Sequence, residues 1–133
     1  MAAGKYSFIV EQGATTNFEM VYNDSAGNPI NLTGYQAKMQ VRPTVGSSEI
    51  YLSLSSSLTS DNTGLNLSGS SGTNPTSSGS IGIFISAESS SLLNFTQGYY
   101  DLEIAIGSGS SAIVTRVLEG VIQLSRNVTT GSF

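Results

Sequence analysis

The octapeptide Tyr35–Arg42, YQAKMQVR, decides the fold class of this sequence. Apolar and polar side chains alternate along it without a break, which is the period of a β-strand with one face toward a core and the other toward water. The apolar members are Tyr35, Ala37, Met39 and Val41. Pro43 ends the strand, because proline has no N–H to donate to a neighbouring strand. A sheet with one solvated face is typical of antiparallel pairing.

Outward from this strand, the same alternation recurs along most of the chain. It predicts further strands at residues 6–11, 17–22, 49–54, 64–67, 79–86, 98–106 and 112–118. Turn-forming residues separate these segments, most densely at 23–29, and residues 107–111 predict a hairpin loop between the last two strands. About eight to ten short strands in this arrangement predict an all-β fold, a single antiparallel β-sandwich that is immunoglobulin-like or a related Greek key.

The phase of the alternation predicts which side chains face the core. The set predicted to point inward is Ile50, Leu52, Leu54, Leu65, Leu67, Val114, Leu118, Ile122 and Leu124. Further sets predicted to share one strand face are Phe8 with Val10, Ile81 with Ile83 and Ile85, and Tyr100 with Leu102, Ile104 and Ile106.

Two interruptions of the alternation have a structural interpretation. Gly120 lies inside the last apolar run, and a glycine within a strand predicts a bulge or a bend. Residues 87–95 predict at most one short helix, capped by Ser86. The apolar side chains expected to lie on the edge of the sandwich after it are Leu92, Leu93 and Phe95.

The chain has the length of one domain, and we expect residues 1–133 to form a single β-sandwich. Residues 68–80, SGSSGTNPTSSGS, contain no apolar side chain apart from Pro75 and are interpreted as a flexible Ser/Gly-rich loop. Residues 127–133 are expected to form a short polar tail. The sequence contains no cysteine, so disulfides are excluded and stability must come from burial or from partners.

Composition excludes several function classes. Without His or Cys, the chain cannot build the common zinc sites, haem ligation, thiol nucleophiles or Ser-His-Asp triads, and no metal or cofactor is expected. Five Lys and Arg against nine Asp and Glu give a net charge of −4, the wrong sign for binding a phosphate backbone. No apolar run reaches the ~18 residues that span a bilayer, and the first residues lack the apolar segment of a signal peptide. We therefore expect no nucleic-acid or membrane partner, and synthesis in a cytoplasm.

One pair of carboxylates has both a chemical and a plain interpretation. Asp101 and Glu103 share a predicted strand face and lie about 7 Å apart by strand geometry, a separation that a glycosidase could use. Any strand with two acids at this spacing has that separation. Solvated face charges, paired with Arg116 or Arg126 on neighbouring strands, are therefore the favoured interpretation, and no catalytic residue is predicted.

Two other motifs are explained by turns. Asp24 and Asp61 begin segments that faintly resemble calcium loops, but neither segment has the closing Glu, and Asx turns explain both. Gly107-Ser-Gly109 leads into another strand and not into a helix, so it is interpreted as a hairpin loop and not as a phosphate loop.

Tyr51 and Tyr99 are the candidate contact residues for a partner or a glycan. Tyr99 and Tyr100 alternate across the predicted sheet, so at least one of them is expected to be exposed. Exposed aromatic rings stack on sugars or fill pockets of a partner, although tyrosine is also simply a good strand former.

The strand and turn segments together resemble a group of small virion proteins of tailed bacteriophages and prophages. The resemblance is carried by FIVEQGA (8–14), NPINLTGY (28–35), AKMQVR (37–42), GSIGIFIS (79–86), YDLEI (100–104), VTRVLEG (114–120) and NVT (127–129). These segments occur in order along nearly the whole chain, and each is a strand-and-turn pattern without catalytic chemistry. The loop at 68–80 departs from the pattern, because relatives are expected to be shorter there.

The resemblance implies a non-enzymatic immunoglobulin-like sandwich, present as a homo-oligomer or in many copies on a phage particle. Its partners would be other virion proteins of the tail, baseplate, collar or capsid, and it would reach the virion after synthesis in the cytoplasm of the bacterial host. Attachment to the tail, baseplate or collar is the leading interpretation. A capsid decoration (cement) protein is the alternative, and a glycan-binding host-recognition module is an alternative from another class.

Overall fold

The computed structural model describes residues 3–130, so residues 131–133 of the predicted polar tail lie outside it. Within this range the chain forms nine strands: β1 Gly4–Lys5, β2 Phe8–Glu11, β3 Thr16–Val21, β4 Tyr35–Arg42, β5 Leu52–Ser55, β6 Gly64–Asn66, β7 Ser80–Ile85, β8 Gln97–Ile106 and β9 Ile113–Ser125. One α-helix, α1, spans Ala87–Ser91, and 3-10 turns lie at Thr76–Ser78 and Gly109–Ser111. The number of strands agrees with the prediction, and β4 has the predicted bounds.

The strands form two sheets that pack face to face. The large sheet has the order β1-β9-β8-β4-β5, with β2 also paired to β9, and the small sheet has the order β3-β7-β6. β1 and β2 run parallel to β9, whereas the other strand pairs of residues 3–130 are antiparallel. Lettered from β2 as strand A, the small sheet holds B, E and D, and the large sheet holds C, F and G together with C′ and with A, which pairs with G. This is the immunoglobulin-like arrangement, so the predicted β-sandwich is confirmed.

The core lies between the two sheets and is built from the inward positions of the alternating strands. The small sheet contributes three fully buried side chains of β7, which are Ile81, Ile83 and Ile85. The large sheet contributes Met39, Val41, Leu102 and Ile122, which are also fully buried. Burying one such side chain contributes about 1.5–3 kcal/mol, so these positions dominate the stability of the sandwich.

Two predicted core side chains outside β9 are exposed, as is Ile106 at the end of β8, which was predicted on the same face as Leu102 and Ile104. Ile50 precedes β5, which begins only at Leu52, so no strand geometry turns it inward. Leu92 is 80% exposed because α1 has already ended, and the next side chain, Leu93, takes the buried position on the edge of the sandwich. All three differences arise at element ends, where the periodicity gives no information.

A β-bulge in β9 shifts the alternation that the sequence predicts there. The register with β8 changes between Leu102 and Glu103, so Val117 of β9 is the additional residue. Val117 and the residue after it are both buried. Before the bulge, each side chain points to the face opposite to the one predicted by an unbroken alternation, so Val114 is 57% exposed. The prediction that Val114 points inward is therefore wrong, and the bulge lies at Val117 and not at Gly120.

Gly120 instead permits the close approach of the N-terminal segment to β9. Tyr6 N donates to Glu119 O at 2.9 Å, and a Cβ on Gly120 would lie only 2.0 Å from Tyr6 O. The same Tyr6 carbonyl accepts a hydrogen bond from the hydroxyl of Tyr100, whose burial raises the pKa of the phenol above its ordinary value. The missing side chain at position 120 thus lets the segment between β1 and β2 lie directly on β9.

The predicted loop at 68–80 lies against the outer side of the small sheet. Ser70 N donates to Glu19 Oε1 of β3 at 2.8 Å. A Cβ on Gly82 of β7 would lie 2.6 Å from the backbone of Gly69, so the loop covers the middle of β7. The flexibility of this loop stays a prediction.

Candidate functional site

Half of the charged side chains of this charge-poor chain lie on the outer face of the large sheet. They occupy outward positions of β1, β4, β8 and β9, and we call this surface the charged face. Its charged members are Lys5, Lys38, Arg42, Asp101, Glu103, Arg116 and Glu119. The rest of the chain carries six acidic side chains and a single basic one, Arg126. The acidic excess of the protein therefore lies away from the charged face.

Cross-strand register brings these charges into a row of ion pairs. Lys5 lies opposite Glu119 and forms an ion pair with it. Arg116 contacts two acids, Asp101 with 3.3 Å between Nε and Oδ2 and Glu119 with 3.4 Å between Nη1 and Oε1. The hydrogen bond and charge of Lys5, with a smaller effect of Arg116, hold the pKa of Glu119 below its ordinary value. Such exposed pairs contribute little to stability, so their main effect is to fix the arrangement of charge on the face.

Tyr99 lies on the charged face between two shallow grooves. One groove, of about 300 Å³, extends toward β4 and is lined by Gln40, Arg42 and Val45 together with Tyr99. The second groove, also of about 300 Å³, extends toward β9 and has Arg116 in its lining. Tyr99 is 43% exposed, which confirms that one of the two adjacent tyrosines faces outward. Its ring offers a flat contact surface with hydrogen-bonding side chains on both sides.

Tyr51, the second predicted contact residue, lies apart from these grooves. Its ring stacks on Phe95, with centroids 4.7 Å apart and an angle of 5° between the planes. A Cβ on Gly98 would lie 3.2 Å from this ring, so Tyr51 packs over the start of β8 and is partly buried. The structure does not bring Tyr51 and Tyr99 into one groove.

The carboxylates of Asp101 and Glu103 lie on the charged face and have basic neighbours. Asp101 contacts Arg116, and Glu103 lies directly opposite Lys38 on β4 and Arg116 on β9. The predicted pairing with Arg116 is confirmed. Arg126 follows the end of β9 and contacts no acidic side chain within residues 3–130.

Both predicted Asx turns are present. Asp24 Oδ1 accepts hydrogen bonds from Ala26 N and Asn28 N, each at 2.9 Å, and Asp61 Oδ1 accepts one from Thr63 N at 3.1 Å. Within residues 3–130, no three acidic side chains come close enough together to hold a metal ion. No helix in that range has the length and apolar character needed to cross a membrane.

Asp61 also holds the start of α1, a role that the sequence did not reveal. Ser86 caps the helix as predicted, since its hydroxyl accepts from Ser89 N at 3.0 Å. Asp61 Oδ2 accepts from the hydroxyls of both serines, and Thr59 donates to the other carboxylate oxygen. These hydrogen bonds, led by that of Ser86, hold the pKa of Asp61 well below its ordinary value of 3.8. The two serines lie 25 and 28 residues along the chain, so no local motif indicates the contact.

Asp61→Asn should lower the thermal unfolding midpoint at neutral pH, because the amide nitrogen cannot accept the hydrogen bonds that Oδ2 accepts. The folded-state pKa of Asp61 is lowered, so its contribution to stability is present above the ordinary pKa of 3.8 and is lost as the pH falls below it. Calorimetry from neutral pH to about pH 2 should show the two midpoints converging on acidification. Asp24→Asn, in a turn with only local amide partners, is the control and should have a smaller effect. A difference that is independent of pH would contradict the prediction.

Comparison with known proteins finds similarity to solved structures. No family model and no curated protein matches this chain. A solved structure described as "crystal structure of chicken TCR for 2.0" is similar to it, with 11% sequence identity and a TM-score of 0.45. The match covers 94% of this chain and 55% of the other, so this chain spans about half the length of that chain.

Proposed function

We propose that this chain is a non-enzymatic structural subunit of a tailed-bacteriophage virion, attached to the tail, baseplate or collar through protein–protein contacts. The observation that carries the proposal is the charged face, which concentrates half of the charge of the chain around Tyr99. Tyr and Arg are enriched at protein interfaces, and fixed charges of both signs align a partner and exclude wrong ones. Two of the segments that resemble phage virion proteins, 100–104 and 114–120, lie in the strands at the middle of this face.

The remaining surface supports the same proposal. The chain has 24 Ser and 12 Thr residues, so most of its polar side chains are uncharged, and the charges outside the charged face are mainly acidic. Low surface charge suits permanent contacts with neighbouring subunits better than a free existence at high concentration. We propose that the protein is made in the host cytoplasm, is incorporated in multiple copies, and contacts other virion proteins and neither nucleic acid nor membrane.

Quantitative mass spectrometry of purified virions tests this proposal. We expect a fixed number of copies per particle. In a map of the particle, each copy should bury more than about 1,000 Å² against neighbouring subunits. A map of the particle should place the sandwich on the tail, baseplate or collar. Density on the capsid lattice, together with loss of the protein on swelling or chelation, would replace the leading proposal by capsid decoration. Purified particles without the protein would refute both.

A matched pair of charge reversals tests the role of the charged face. Arg116→Glu should reduce incorporation into particles, because it replaces the bridging base between Asp101 and Glu119 with a third acid. Arg126→Glu makes the same change outside the face and should be incorporated normally. Circular dichroism of both variants checks the fold, which exposed ion pairs affect little. Equal incorporation of the two variants would show that the charged face is not the attachment surface.

Glycan binding is a second candidate, favoured by the exposure of Tyr99 between Gln40, Arg42 and Asp101. An aromatic ring with flanking hydrogen-bonding groups can stack on a sugar ring. The isolated protein should then bind a glycan array, and Tyr99→Ala should abolish the signal. Tyr51→Ala removes the other candidate ring and should leave binding intact. Loss of binding in the Tyr51 variant alone, or no binding by the wild type, would exclude the groove as a sugar site.

A further inference from the structure

β3 is an edge strand of the small sheet, and no other strand of residues 3–130 pairs with its outer side. In its antiparallel pairing with β7, Tyr22 N donates to Gly79 O at 2.8 Å, so even-numbered residues direct their N–H and C=O groups to β7. The N–H and C=O groups of Asn17, Glu19 and Val21 therefore point away from the sheet. They have no hydrogen-bond partner within residues 3–130. A row of this kind is a template for the addition of another strand.

β3 also lacks the features that usually protect an edge. It contains no Lys or Pro, and its register with β7 continues through six residue pairs without a bulge. Its single charge, Glu19, is turned back onto the loop, where Oε1 accepts from Ser70 N at 2.8 Å and from the hydroxyl of Ser70.

The other edges are less available. β6 is three residues long, and the edge formed by β1 and β2 is interrupted between Lys5 and Phe8. β5 is covered in part, since a Cβ on Gly64 would lie 2.5 Å from Ser55 O. Of the edge strands described, β3 thus offers the longest regular run of free backbone groups.

Partly exposed aromatic side chains line the open side of the sandwich beside β3. Phe18 of β3 contacts Phe8 edge to face, with ring centroids 4.9 Å apart, and Tyr6 lies 5.8 Å from Phe8 and 6.1 Å from Phe18. Tyr6 is 49% exposed, and the two phenylalanines are partly buried. A second sheet that continued from β3 would cover this cluster and add apolar burial to the backbone hydrogen bonds.

We propose that β3 pairs antiparallel with β3 of a second copy of this chain, so that the two small sheets form one continuous sheet across a two-fold axis. A second copy fits because an isologous antiparallel pair places the outward backbone groups of one strand opposite those of the other. This interface does not depend on a virion role, and it lies on the opposite sheet from the charged face.

The register between the two β3 strands is selected by separating the two Glu19 carboxylates, the single charge that each strand carries. Centring the two-fold axis on Glu19 would place the carboxylates of both copies directly opposite each other, which is destabilising. Centring it on Phe18 places Glu19 opposite Asn17 of the second copy, a carboxylate beside an amide, and sets the two Phe18 side chains next to each other. Of the registers that keep the two Glu19 carboxylates apart, the one centred on Phe18 gives each Glu19 a polar partner, whereas centring on Met20 would place Glu19 opposite Val21. The interface is therefore centred on Phe18, with two Glu19–Asn17 pairs.

Analytical ultracentrifugation tests the proposal, with the wild-type protein from about 1 to 500 µM. We expect a monomer–dimer equilibrium within that range. Asn17→Lys places an ammonium opposite Glu19 at both ends of the interface and should tighten the dimer by about 2- to 30-fold. Asn17→Glu places two carboxylates together and should weaken it by a similar factor. Gln36→Lys and Gln36→Glu make the same charge changes on the outer face of the large sheet and should leave the equilibrium unchanged.

Hydrogen exchange of the wild-type protein provides a readout that needs no variant. The amides of Asn17, Glu19 and Val21 should gain protection as the concentration rises, while those of the intervening residues, already bonded to β7, should change little. A monomer at every concentration would overturn the proposal. So would a dimer whose affinity responds equally to both Asn17 variants, or one in which the three outward amides of β3 stay unprotected.

Discussion

Gly120→Ala should lower the free energy of unfolding by about 3 kcal/mol and release the segment around Tyr6 from β9. The added Cβ would lie 2.0 Å from Tyr6 O and 2.7 Å from its carbonyl carbon. Both obstructing atoms belong to the backbone, so no change of side-chain rotamer can relieve the contact. The segment between β1 and β2 must therefore move away from β9.

The displacement of Tyr6 also removes two hydrogen bonds. Tyr6 N donates to Glu119 O, and Tyr6 O is the acceptor for the hydroxyl of Tyr100. Tyr100 is 5% exposed, so its hydroxyl would be left without a partner and with little access to water. An unpaired buried donor costs about 1–3 kcal/mol, which adds to a similar cost for the steric conflict.

Urea unfolding measures the loss of stability, and hydrogen exchange of residues 3–11 measures the release of the segment. Gly4→Ala is the matched control, because Gly4 also pairs with β9 but its Cβ would lie at ordinary contact distances, 3.4 Å from Leu118 Cδ1 and 3.6 Å from Val117 O. This control should change the free energy of unfolding by less than about 0.5 kcal/mol. Equal stability of the two variants would mean that Tyr6 does not lie against Gly120.

The parts of the fold that the sequence predicted are those set by local pattern. The alternation in β4 identified the inward side chains, because a strand between a core and water must separate its two faces. The Ser86 cap and the Asx turns of Asp24 and Asp61 were predictable for the same reason, since donor and acceptor lie within four residues of each other.

Pairing over long sequence distances was not predictable. YSFIVE at residues 6–11 predicts one strand, but its local pattern does not reveal that β2, which lies within it, pairs parallel with β9. The candidate site likewise combines a residue predicted from local pattern with a contact between residues far apart in the sequence. Tyr99 was identified by alternation, whereas the ion pair of Lys5 with Glu119 joins residues 114 positions apart and depends on that parallel register.

The second substitution with a large expected effect on stability is at the bulge in β9. Val117→Asp should leave the protein mostly unfolded at room temperature, whereas Val114→Asp should lower the free energy of unfolding by only about 1 kcal/mol, the span of strand propensity. Val117 is 4% exposed in the core, and a carboxylate there would lose its hydration without gaining a basic partner. That cost of several kcal/mol is comparable to the whole stability of a typical domain, about 5–15 kcal/mol.

An unbroken alternation through β9 gives the opposite expectation, because it places Val114 on the same face as Leu118 and turns Val117 toward water. The two substitutions introduce the same side chain three residues apart on one strand, so strand propensity and added charge are matched. Circular dichroism and urea titration of both variants therefore report on the bulge itself. A folded Val117→Asp beside an unfolded Val114→Asp would mean that β8 and β9 pair without the register shift, and the positions of Arg116 and Asp101 on the charged face would then have to change as well.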